Sequence, residues 1–98
     1  TIIAPQALHF MNNRQVREAA LALAAQFERS ADNPAAVKQG YETVIGRTPT
    51  AKETKAVGAF IAAQEKSYQD VGRKDARKIA LADMAQVLFG LNEFIYVK

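Results

Sequence analysis

A chain of 98 residues without a cysteine has room for one hydrophobic core, and it excludes disulfides, thiolate metal sites, iron–sulfur clusters and haem attached through Cys-x-x-Cys-His. Hydrophobic residues make up 49%, yet no uncharged apolar stretch approaches the roughly 20 residues that cross a bilayer, so a soluble piece without a membrane-spanning segment is expected. The 13 Lys and Arg against 10 Asp and Glu leave a net charge of +3, a slight bias toward anionic partners that sits mostly between residues 66 and 78.

Abundant alanine, three prolines and short β-branched runs predict helix nearly throughout. Pro5 suits a first helical turn, where its missing N–H costs nothing, and the segment it opens carries Leu8 and Met11 and reaches Asn12-Asn13. Asn13 is placed to cap a second segment with Val16, Ala20, Leu23, Ala24 and Phe27 at helical spacing. Whether residues 5–29 form one kinked helix or two stays open at this level. Ser30 to Pro34 is rich in turn formers, so a third helix starts there, puts Val37, Tyr41, Val44 and Ile45 on one stripe, and stops at Gly46.

Thr50 and Glu53 then have the spacing of a capping box, the sharpest local signal in the chain. The helix they open carries Val57, Phe60, Ile61 and Gln64, with Gly58 as a weak spot or a close-packing point. A polar connector around Asp70 to Asp75 leads to a last helix from about Lys74 to Gly90. There Ile79, Ala80, Met84, Val87, Leu88 and Leu91 form a broad stripe flanked by Leu81 and Phe89, so this helix should be the most buried. The aromatic tail from Asn92 to Val97 is expected to pack back. The fold class is therefore all-α: residues 1–98 as a single compact bundle of four to five helices joined by short loops.

Three stretches matter together: Gln6-Ala7-Leu8…Met11-Asn12-Asn13…Val16-Arg17-Glu18-Ala19, then Gly46-Arg47-Thr48-Pro49-Thr50…Glu53, then Leu81-Ala82-Asp83…Val87-Leu88…Leu91-Asn92-Glu93-Phe94-Ile95-Tyr96-Val97. In that order, over nearly the whole chain, they resemble the C-terminal end of the domain-of-unknown-function family 1553, found in planctomycete-type proteins that also carry a cytochrome-c-like domain. Relatives often have a proline after the asparagine pair, where this chain has Arg14-Gln15. The resemblance implies an excised C-terminal fragment of a large, exported, extracytoplasmic bacterial multidomain protein, and it carries over no catalytic residues. The chain itself shows no leader before Thr1, so a leader is either absent or lies upstream.

Candidate chemistry is sparse. His9, the only histidine, has neither a cysteine nor a second histidine beside it and reads as a packed or surface residue rather than a haem or metal ligand. Asp83 falls close to the apolar stripe of the last helix, where an unpaired carboxylate is costly, and either Arg17 or Arg47 is available to neutralise it. Arg73, Lys74, Arg77 and Lys78 have the i, i+4 spacing of a phosphate-binding strip, although solvated helix faces look alike and no helix-turn-helix or aromatic platform accompanies them. Tyr41, Tyr68 and Tyr96 read as core and edge residues, and no serine nucleophile has a Gly-x-Ser-x-Gly elbow.

No cofactor, metal or catalytic constellation is therefore expected within the chain, and an enzyme is not the favoured reading. The leading function is a non-catalytic helical module whose partners are other domains of its parent protein; it calls for an apolar surface left bare. One alternative is an anionic-polymer or nucleic-acid binder using residues 73–78, although nucleic acid is not the expected partner. Another is a contribution of Asp83, Glu93 or His9 to an active site shared with other domains.

Overall fold

The computed structural model describes residues 14–96, and the side chains of residues 14–92. The helix opened by Pro5, the cap at Asn13 and His9 lie outside the described residues, as do the side chains of Glu93 and Tyr96. Helix α1 is Arg14–Phe27, α2 is Asn33–Gly40 continued by a π-helical turn Tyr41–Ile45, α3 is Ala51–Asp70 and α4 is Ala76–Tyr96. No strand occurs among the described residues. The radius of gyration, 12.7 Å, matches the roughly 13 Å of a compact chain of this length.

Helix α4 is the axis of the bundle and packs mainly against α1 and α3. Four consecutive residues, Ile79, Ala80, Leu81 and Ala82, are buried, followed by Met84, Ala85 and Leu88. Because successive residues are about 100° apart around a helix, such a run leaves no single dry face, and α4 is surrounded. Around it, α1 supplies Ala20, Ala24 and Phe27, α2 supplies Ala36 and Val37, the π turn supplies Tyr41 and α3 supplies Ile61. Of the stripes expected on α1 and α4, Ala20, Ala24, Phe27, Ile79, Ala80, Met84 and Leu88 are buried, with Leu81 among them rather than flanking, while Val16 and Val87 stay half-exposed.

Both ends of α2 are built by local chemistry. The Asp32 carboxylate accepts from the Ala35 backbone N–H at 2.9 Å while Pro34 occupies the first turn. At the other end the Gly46 N–H donates to the Tyr41 carbonyl at 2.8 Å, five residues back, and Gly46 takes φ +88°. The stop at Gly46 is therefore as expected, but the last turn before it is widened by one residue. Buried Gly40 sits just ahead of that turn: a Cβ there would meet Leu88 Cδ1 and Met84 Cε at 3.0 Å. Gly40 is thus the close-packing glycine, while a Cβ on Gly58 would meet nothing within 4 Å.

Two boundaries differ from the sequence reading. Helix α4 begins at Ala76, not near Lys74, with the Ile79 N–H donating to the Asp75 carbonyl at 3.0 Å. At its far end the backbone remains helical through Tyr96, so the aromatic tail extends α4, and its expected packing on the bundle falls on side chains outside the described residues. Gly90 does not end α4, because it is a buried residue inside it and not a left-handed C′ position.

Candidate functional site

The most connected polar group is Asp83, half-buried on α4 between α1 and α3. Its side chain is 14% exposed, and its Oδ1 accepts from Arg17 Nη1 at 2.8 Å. Its Oδ2 accepts from Gln64 Nε2 at 2.8 Å and from the Tyr68 hydroxyl at 2.7 Å. Arg17 Nη1 also donates to Gln86 Oε1 on α4. Three helices therefore converge on one carboxylate. Helical spacing places Gln64 and Tyr68 one turn apart on a single face of α3, so both reach the same oxygen.

A carboxylate removed from water at this depth needs a countercharge and hydrogen bonds to both oxygens, and Asp83 has both. Among the described residues, every buried side-chain nitrogen or oxygen has a partner. The Tyr68 phenol is pushed above its ordinary pKa, first by burial and then by the hydrogen bond it donates to Asp83. It stays a proton donor to that oxygen across the neutral range. Of the two arginines available to Asp83, Arg17 is the partner.

Arg47 serves a second cluster. Its Nη1 and Nη2 donate to Glu53 Oε1 and Oε2, each at 2.8 Å, and its guanidinium lies 5.4 Å from the centroid of the Tyr41 ring. The capping box is formed: the Glu53 N–H donates to Thr50 Oγ1 at 3.0 Å, and the Thr50 N–H to Glu53 Oε1 at 2.9 Å. The hydrogen bonds from Arg47 hold the Glu53 carboxyl down at about 2. Burial, reinforced by the Glu53 charge, raises the Tyr41 phenol.

The basic strip is not a helical face. Arg73 and Lys74 precede the first residue of α4, so i, i+4 geometry does not bring them over Arg77 and Lys78. Arg73 donates through Nε and Nη2 to Asp75, both at 3.1 Å, and holds that carboxyl below its usual range. Arg77 donates to Asn33 Oδ1 at 2.7 Å and lies 3.8 Å from Glu65 Oε1. Lys74 is exposed and Lys78 half-buried. Glu93 stands on the last turns of α4, its side chain outside the described residues.

An apolar groove, unremarked in the sequence, opens beside these clusters. Tyr41, Val57, Phe60, Val87 and Leu91 line it with Ala56 and Glu53, enclosing about 230 Å³. Val57 and Leu91 pack on the core beneath. The signal available in the sequence was Phe60 and Val87 at the edges of their stripes; what hid the groove was that each stripe looked fully usable for the core. Among the described residues no group of three His, Cys, Asp or Glu side chains is gathered as a metal site, and no helix is long and apolar enough to cross a membrane.

An all-α bundle pinned by an internal carboxylate cluster, with one apolar groove on its surface, is the class of protein these elements define. The family model described as a protein of unknown function (DUF1553) matches residues 1–61 of the 98, and the chain belongs to that family. The matched segment holds the first two of the three quoted stretches and ends before the third. No curated protein and no solved structure matches the chain.

Proposed function

We propose that this chain is a non-catalytic helical module of a larger, exported multidomain protein, and that it packs against or completes other parts of that protein outside the cytoplasm. The apolar groove at Phe60 and Val87 is the observation that carries this reading, since half-exposed apolar side chains aligned between two helices are surface that a partner can dry. Asp83 supports it from the other side. With both oxygens engaged by Arg17, Gln64 and Tyr68, that carboxylate ties three helices together, which is a structural role.

The test is to produce residues 1–98 and the remainder of the parent reading frame as separate polypeptides. Stable co-purification in equal amounts is the expected result. Two species that migrate independently at micromolar concentration would refute the module reading.

A further inference from the structure

We infer that residues 1–13 fold back over the groove between α3 and α4 as its resident occupant, and that a partner reaches this surface by displacing them. The displacement rests on the module reading above and names the regulation of its docking surface. At Asp83 the seam on α4 is closed from both sides, by Arg17 of α1 and by Gln64 and Tyr68 of α3. Val87 comes one turn later on α4, about 40° around the helix from Asp83, and so stands over the same seam. There α3 still supplies Val57 and Phe60, but among the described residues none from α1 lines the groove. The contacts of α1 show why. Arg17 spans Asp83 and Gln86, whereas Asn33, at the start of α2, accepts from Arg77 near the start of α4. Following α1 back to Arg14 therefore leads along α4 toward Val87 and Leu91, and the chain enters α1 beside the open side of the groove.

Length and composition fit residues 1–13 to that place. As a helix they would cover about 20 Å and fully extended roughly 40 Å, against about 6 Å from Val87 to Leu91 along α4. None of them is Asp, Glu, Lys or Arg, while Ile2, Ile3, Leu8, Phe10 and Met11 are apolar. The helix that Pro5 is expected to open carries Leu8 and Met11 one turn apart on one face, the spacing that meets Val87 and Leu91. An uncharged segment also suits a groove whose acid, Glu53, is already held by two nitrogens of Arg47. The enclosed volume of about 230 Å³ lies below the roughly 300 to 1,000 Å³ of ordinary small-molecule sites, which favours side chains of the chain itself over a ligand. The family model spans residues 1–61, so the segment and the α3 wall belong to one matched stretch.

The chain has no cysteine, so Ala7→Cys takes a single nitroxide label in the full 98-residue chain. The amide signals of Val57, Phe60, Val87 and Leu91 should be broadened severalfold more than those of Gln26 and Arg29, around the far end of α1. Adding Leu8→Glu and Met11→Glu to the labelled chain should remove that difference. A mixture of labelled chain with isotope-enriched chain that carries no label should show no broadening of the enriched signals. Uniform broadening, or broadening centred on another face, would overturn the inference. So would broadening in the mixture, which would make a second copy the occupant. Adding the remainder of the parent should relieve the broadening at the groove. If the remainder binds while the label stays in the groove, the displacement falls and the module reading stands. If nothing binds, the module reading and the displacement fall together, and the label separately decides whether residues 1–13 occupy the groove.

Discussion

Arg17 and Asp83 are separated by 66 residues of chain and by 2.8 Å in space. That contact closes α1 onto α4, and through Gln64 and Tyr68 the same carboxylate closes α3 onto α4. Removing it takes the countercharge from a half-buried guanidinium, which keeps only Gln86 as acceptor, and leaves the Gln64 and Tyr68 donors without theirs.

Asp83→Ala should therefore cost about 2 to 4 kcal/mol, the range for breaking a buried or partly buried pair and orphaning its hydrogen-bonding partners. Tyr68→Phe, which deletes one donor and no charge, should cost about 1 kcal/mol. Urea unfolding of the two variants checks both figures, and a loss under about 0.5 kcal/mol for Asp83→Ala would remove the carboxylate from its structural role.

The two helical glycines predict opposite signs. At Gly58 an added methyl meets nothing within 4 Å, so Gly58→Ala should stabilise by about 0.5 to 1 kcal/mol through helix propensity alone. At Gly40 the same methyl lies 3.0 Å from both Leu88 Cδ1 and Met84 Cε, two fully buried side chains. Overpacking of about 1 to 3 kcal/mol outweighs the propensity gain there, so Gly40→Ala should destabilise. Thermal melts of the pair decide the matter.

Glu53 sets a pH dependence. Its carboxyl titrates at about 2 in the folded chain, against 4.5 ordinarily. A folded pKa that is depressed adds stability above the unfolded value, and that stability is lost as pH falls from about 4.5 toward 2. The pair stands near the surface, so solvent screening reduces the contribution to about 1 kcal/mol. In Glu53→Gln, which keeps an acceptor for the capping box, the acid limb of the stability profile should flatten by that amount between pH 5 and pH 2. An unchanged limb would show that Arg47 does not hold the carboxylate.

Arg77 should matter for folding more than for anions. Arg77→Ala loses its bond to Asn33 and its approach to Glu65, which together amount to about 1 kcal/mol. Duplex DNA at about 50 mM salt should bind the native chain weakly and the variant equally weakly. A steep salt dependence that disappears with Arg77→Ala would restore the basic strip as a binding surface.

How far the sequence could be read depended on the range of each interaction. The Thr50–Glu53 capping box and the stop at Gly46 are made by residues three to five apart, so spacing alone announces them. The apolar stripes of α1 and α4 were equally legible, because helical periodicity is local. Asp83 stood out as a carboxylate too near the core, yet its choice between Arg17 and Arg47 depends on how α1 packs on α4, which no local pattern encodes. The 73–78 strip misled for the opposite reason: α4 starts at Ala76, two residues later than expected, and that removes the i, i+4 spacing. Gly90 and Gly40 were indistinguishable from other glycines until the neighbours of each were known.

The widened turn at Tyr41–Ile45 acts on everything that follows it. One surplus residue in a helix rotates the exit direction by about 100°. Just past that turn and Gly46, Arg47 lies over the Tyr41 ring and pairs with Glu53. Excising a single position such as Thr43 would restore an unbroken α-helix and improve its local regularity, yet it would swing the guanidinium out of reach of both neighbours and aim α3 along a different heading.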